Sequence, residues 1–179
     1  MEACRLLVTG ASGSGTTTLG RAVADAWAVP HADVDDYFWV PTVPPYRVKR
    51  APAERVALLD QVVLPREGWV LSGSVLGWGD PVVARCDAVV FLTLDGPERL
   101  RRLELRESAR RDSGAGDVAA REAFLAWARG YDDPLFDGRS RVAHEAWLAT
   151  LACPVLRLDA AVPREDLRDA VLAWEPQGQ

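Results

Sequence analysis

Apolar residues in this chain recur at two alternating spacings. Apolar runs at Leu6-Leu7-Val8, Trp69-Val70-Leu71, Asp87 to Leu94 and Val155 to Leu158 read as strands, with a shorter one at His31 to Val34. Between them the period lengthens to that of a helix. Leu19, Ala22, Val23, Ala26 and Trp27 fall at i, i+3, i+4, i+7 and i+8, and Val56, Leu59 and Val63 do the same across Ala53 to Leu64. Further helices are predicted from Gly96-Pro97 onward, over Val118 to Arg129 with Phe124, Leu125 and Ala128 inward, over about Ser140 to Leu151, and from Pro163, a favoured first-turn residue. Four prolines between Pro41 and Pro52 exclude a regular helix there and predict an ordered loop. Strands alternating with helices give an α/β domain with a central parallel sheet.

The first strand, turn and helix carry the most specific chemistry. Gly10-Ala11-Ser12-Gly13-Ser14-Gly15-Thr16-Thr17 fits the phosphate-loop pattern G-x-x-x-x-G-K-[ST] except at the lysine, which is Thr16. Glycines permit a tight turn with inward N–H groups, and the positive end of the next helix adds to a seat for phosphates. The second strand ends in Asp33-Val34-Asp35-Asp36. In an open parallel sheet that end faces the ligand crevice. A helix N-cap with a solvated acidic turn is the alternative reading of those carboxylates.

This pattern resembles the P-loop kinases of the nucleoside-monophosphate, shikimate and gluconate type, the adenylate-kinase-like group. The resemblance implies a three-layer α/β sandwich over residues 1–179, strand order 2-3-1-4-5, a helical lid at about 99–130 and an acceptor-side loop at about 37–52. It implies a nucleotide cradle at Gly10, Ser12, Gly13, Ser14, Gly15, Thr16, Thr17 and Thr18, with Thr17 and Asp33 toward Mg²⁺. Asp35, or Asp36, would accept a proton from the acceptor. Gly73, Ser74, Trp78 and Asp80 follow the third strand, where related kinases line the acceptor pocket; Arg47 and Arg50 could serve a phosphorylated acceptor. Along the helix that opens at Gly96-Pro97, Arg99, Arg102, Arg106 and Arg110 share one face, and Arg106 and Arg110, nearest the Ser113 to Gly116 turn, resemble lid arginines that neutralise developing charge. Arg102 reads as structural, in a pair with Glu98. Asp159-Ala160-Ala161 would lie near the base.

Thr16 is the departure that matters. A threonine is too short and uncharged to follow the lysine to the β- and γ-phosphates, and losing such a contact costs roughly 3–4 kcal/mol unless another cation replaces it. All but one of the 21 basic residues are arginine. The exception, Lys49, is therefore a candidate replacement acting from a distance.

Composition narrows the function classes. A net charge of −5 argues against a general nucleic-acid binder. No apolar run approaches the ~18 residues of a membrane span, and no charged-then-apolar leader precedes the first strand, so a cytoplasmic protein is expected. Cys4, Cys86 and Cys153 are widely spaced and read as free thiols. His144 stands apart from any second histidine and reads as a surface or packed residue rather than a catalytic one. The expectation is a kinase that binds ATP or GTP with Mg²⁺ and phosphorylates a small-molecule acceptor. The alternative is a non-catalytic or weakly hydrolytic nucleotide-binding protein.

Overall fold

The computed structural model describes residues 1–112 and 118–176; the expected Ser113 to Gly116 turn and the side chains of residues 110–112 fall outside the described residues. In chain order the elements are β1 (Arg5–Gly10), α1 (Thr16–Trp27), β2 (His31–Asp33), α2 (Val34–Phe38), β3 (Trp39–Val40), β4 (Val48–Lys49), α3 (Pro52–Val62), β5 (Trp69–Ser72), α4 (Asp80–Val83), β6 (Ala88–Thr93), α5 (Gly96–Asp112), α6 (Val118–Arg129), α7 (Arg141–Leu148), β7 (Val155–Asp159) and α8 (Arg164–Ala173). A 3₁₀ turn at Gly130–Asp132 precedes α7.

Five strands form one parallel sheet in the order β2-β5-β1-β6-β7, which is 2-3-1-4-5 when only those strands are counted. Strand periodicity of two then divides the core. Leu6, Val8, Val70, Val90 and Leu92 face one layer, with Leu19 and Val23 of α1 and Leu167 and Val171 of α8. Leu7, Trp69, Leu71, Val89 and Phe91 face the other, with Leu59 of α3 and Leu148 of α7. This is why the strands read as continuous apolar runs: both faces are covered. Leu103 of α5 meets Leu125 and Ala128 of α6 in a separate small cluster.

Two local expectations are revised. The loop expected at about 37–52 opens on the end of a short helix, α2, which stops before Pro41, and continues as an antiparallel ribbon pairing Trp39 with Lys49 and Val40 with Val48, with Pro41, Pro44 and Pro45 in its tip. In α1 the buried face is Leu19, Gly20, Val23 and Ala24, whereas Ala26 is exposed. Helix α1 crosses β5 and β2 so closely that a Cβ at Gly20 would stand 3.0 Å from Ser72 Cβ and 3.1 Å from His31 Nε2. Glycine leaves that approach uncrowded, and the approach sets what the preceding turn of α1 can reach.

Candidate active site

The loop after β1 turns with Ser14 N–H donating to the Ala11 carbonyl at 3.1 Å. Gly13 has φ +89°, and a Cβ there would press to 2.7 Å from the Arg99 carbonyl, so this corner requires glycine. Helix α1 opens at Thr16 with Gly15 at its N-cap and no side-chain cap, which leaves its first N–H groups directed at the loop. The Ser14 hydroxyl is buried without a hydrogen-bond partner.

Because Gly20 brings α1 against β5 and β2, Thr17 reaches across the loop to the end of β2. Its Oγ1 donates to Asp33 Oδ2 at 2.8 Å. Asp33 also caps α2, accepting from Asp35 N–H at 3.0 Å through Oδ1. The two readings of this carboxylate are thus both realised: it is a helix cap and it faces the loop. A hydroxyl and a carboxylate side by side suit a hard dication such as Mg²⁺, which takes few protein ligands and completes its shell with water and phosphate oxygens. No group of three His, Cys, Asp or Glu side chains among the described residues could hold a metal without such help.

Asp35, two residues on, stays open to water while protein crowds its carboxylate on the remaining sides. That crowding, together with the Asp33 charge, holds it above the usual carboxylate range, against the opposing pull of Arg139, Arg106 and a hydrogen bond from Trp39. A carboxylate raised in this way is closer to the pKa a general base needs.

The arginine stripe on α5 does not act as a unit. Arg99 is 1% exposed and ties the loop to the helix pair, donating to the carbonyls of Ser12 at 3.4 Å and Ala128 at 3.0 Å and pairing with Asp132 at 3.1 Å. Arg102 pairs with Glu98 and donates to the Ala160 carbonyl at 3.1 Å, the structural role expected of it. Arg106 lies 5.6 Å from the Phe124 ring centroid and within electrostatic reach of Asp35. The Arg110 side chain lies outside the described residues.

Several acceptor-side expectations change. Arg50 donates from one guanidinium nitrogen to the carbonyls of Asp36 at 3.0 Å, Tyr37 at 3.1 Å and Trp39, so it fastens the ribbon to α2 and is not free for an acceptor. Asp80 begins α4, which leads away from the crevice; it lines a groove with Cys86 and Cys153 at the opposite, N-terminal edge of β6 and β7. Lys49 rests 5.9 Å from the Phe38 ring centroid and 5.8 Å from that of Trp39, on the exposed ribbon that also carries Arg47. Ser74 is engaged by His144, whose Nε2 lies 3.2 Å from its Oγ. Trp78 packs at 6.4 Å from Phe38, and Gly73, with φ +121°, abuts Val34.

Three residues of this region were not legible as site residues. His144 is fully buried, with Nδ1 2.9 Å from the Tyr131 hydroxyl, and desolvation pushes its pKa down to about 4. Arg55 of α3 is 7% exposed and lies 3.8 Å over Phe38. Arg139, in the loop before α7, donates to the Ser12 hydroxyl inside the phosphate loop. A helical heptad or loop pattern does not mark such residues, because each meets its partners only through the tertiary fold.

A protein of Bacillus subtilis (strain 168) described as "Uncharacterized protein YqaC" is 38% identical over 171 residues, covering 93% of this chain and 94% of that protein. The chain belongs to the YqaC family. No protein-family model matches it. Among solved structures, a gluconokinase from Sinorhizobium meliloti 1021 superposes with a TM-score of 0.54 at 19% identity, covering 96% of this chain and 90% of that one. Shikimate kinase from Aquifex aeolicus VF5 gives 0.54 at 16% identity over 94% and 93%. Shikimate kinase from Acinetobacter baumannii in complex with shikimate gives 0.55 at 17% identity over 96% and 92%. This YqaC-family chain therefore has the fold of the adenylate-kinase-like P-loop kinases, as its first loop implied. Among the described residues no helix is long and apolar enough to cross a membrane.

Proposed function

We propose that the protein is a small-molecule kinase that transfers the γ-phosphoryl group of ATP or GTP to a hydroxyl of a small acceptor. The observation that carries the reading is the Thr17–Asp33 pair beside a glycine-built loop, with the raised carboxylate of Asp35 two residues away. Backbone N–H groups at 10–18 hold the phosphate chain. Mg²⁺, held by Thr17 and Asp33, supplies neutralisation of phosphate charge. The acceptor oxygen bonds to the γ-phosphorus as the bond from that phosphorus to the β–γ bridging oxygen breaks. The bridging oxygen leaves with the electron pair on the nucleoside diphosphate, and the acceptor's proton passes to Asp35. Helices α5 and α6 form the lid, and Arg106 faces the phosphates on closure. Asp36, Arg47, Gly73 and Trp78 remain candidates for acceptor contact.

A panel of sugar acids, hydroxy acids, polyols and nucleoside monophosphates, incubated with Mg²⁺ and ATP or GTP, tests this by phosphorus NMR. One phosphorylated product with stoichiometric nucleoside diphosphate supports transfer. Diphosphate release with free phosphate and no dependence on any acceptor contradicts it. Thr16 in place of the lysine favours a second reading, a nucleotide-binding protein without transfer, which the same experiment would register as binding without any product.

A further inference from the structure

The kinase reading leaves a gap in charge at the loop, and the fold supplies a candidate that neither Lys49 nor the helix stripe provides. Three arginines converge here from separate elements. Arg99 and Arg141 share Asp132, at 3.1 Å and 2.6 Å. Arg139, close to Arg141 in sequence, has no such partner: among the described residues it forms no ion pair, and its only hydrogen bond is from Nη2 to the neutral Ser12 hydroxyl. Its Nε is out of contact with solvent and without a partner. Trp127 supports the guanidinium from 5.0 Å, and Asp35 acts on it electrostatically. A guanidinium keeps its charge in a protein. Holding a charge in this partly buried place, with no ion pair and only the Asp35 field to balance it, is costly, and an anion at the loop would complete it.

We infer that Arg139 is the phosphate-facing cation of this site, taking over from the loop before α7 the contact that a lysine at position 16 would make. This rests on the kinase reading and adds the residue that reading lacks. The guanidinium at Ser12 stands at the phosphate loop itself, and its planar fork suits two phosphate oxygens at once. Burial holds its pKa below the ordinary arginine value, with Asp35 opposing that shift in part. Lys49, by contrast, is held on aromatic rings of the outer ribbon.

The test is calorimetric titration of MgATP into the unaltered protein, Arg139→Gln, Arg139→Lys, Thr16→Lys and the double variant Arg139→Gln/Thr16→Lys, with thermal melting of each. The expected result is a loss of about 10- to 100-fold in affinity for Arg139→Gln, the size of one charge-assisted contact. Arg139→Lys should retain part of the affinity, and the double variant should regain it, because a lysine at position 16 returns the cation. Thr16→Lys alone should change affinity by less than about threefold, since the charge is already present. Unchanged MgATP affinity in folded Arg139→Gln, including a case where only the acceptor's KM rises, would overturn the inference alone. If Arg139→Gln does not fold, Thr16→Lys decides: a hundredfold gain would mean the cradle lacks a cation and would overturn it. Failure of the unaltered protein to bind MgATP would instead overturn the kinase reading itself.

Discussion

The two halves of the crevice are built in opposite ways. The nucleotide half comes largely from one continuous segment: β1, the loop and α1 are adjacent in sequence, Asp33 joins them from β2, and Arg139 reaches Ser12 from the loop before α7. The proposed acceptor half is assembled from the ends of α2 and β5, the ribbon, α3 and α7, which meet only in three dimensions. The first half is fixed by backbone, with glycine allowing both the loop corner and the contact of α1 with β5. The second is fixed by side-chain ties: Arg50 on three carbonyls, Arg55 on Phe38 and Trp78, and Ser74 on His144 and through it Tyr131. Backbone-built sites tolerate changes in side chains. A side-chain-built site is where specificity for an acceptor can diverge while the fold stays the same.

The comparison breaks most sharply at Asp35. Asp35→Asn should lower turnover by about 10²- to 10⁴-fold while MgATP affinity, read by calorimetry, stays within about threefold. Because the folded state raises this carboxylate's pKa, its ionisation costs stability as pH rises through the ordinary carboxylate range. The Asn variant should accordingly melt higher than the unaltered protein at neutral pH, and the difference should close in acid. Equal melting at both pH values would contradict the crowding assigned to Asp35.

Thr17→Val should act on the other half. It removes the hydroxyl beside Asp33, so Mg²⁺ should no longer improve ATP affinity, a loss of about 10-fold or more, with melting little changed. Affinity that still responds to Mg²⁺ would remove Thr17 from the metal shell.

His144 sharpens the contrast through stability. Its folded pKa, about 4, lies below the ordinary histidine value of 6.5. Its contribution is therefore fully present above pH 6.5 and is lost as pH falls toward 4, on the order of 3 kcal/mol across that window. Denaturant titrations of His144→Gln should show a flatter pH dependence there than the unaltered protein. Gly73→Ala should cost about 2 kcal/mol, since φ is +121° and the new Cβ would meet Val34 Cβ at 2.7 Å. The smallest effect belongs to Lys49→Ala, which removes only exposed ring contacts and should shift stability by under about 1 kcal/mol and MgATP affinity by less than about threefold. A tenfold loss would restore Lys49 as the missing cation.

The same contrast accounts for what the sequence revealed. Strand and helix positions and the loop at 10–17 were legible because each rests on a local period or a contiguous motif, whereas strand order came from the resemblance to the P-loop kinases; Asp33 lies beside the loop because a parallel sheet puts strand ends at one crevice. Asp80 misled because small and acidic residues after a strand look like pocket lining, yet here they start a helix that turns away. Arg50 misled because a cluster of basic residues says nothing about the carbonyls one of them will hold. Arg139 and His144 carried no signal, their partners lying 127 residues and 70 residues away along the chain. The free cysteines followed expectation, and burial holds the Cys4 thiol at about 11, far from a reactive thiolate.

The most direct test of the central claim is calorimetric titration of ATP and GTP into the unaltered protein, each with and without Mg²⁺. The account predicts saturable binding of at least one nucleotide at one site per chain, strengthened by Mg²⁺ through Thr17 and Asp33. No binding of either nucleotide in the presence of Mg²⁺ would contradict it, leaving a kinase fold without a kinase's substrate.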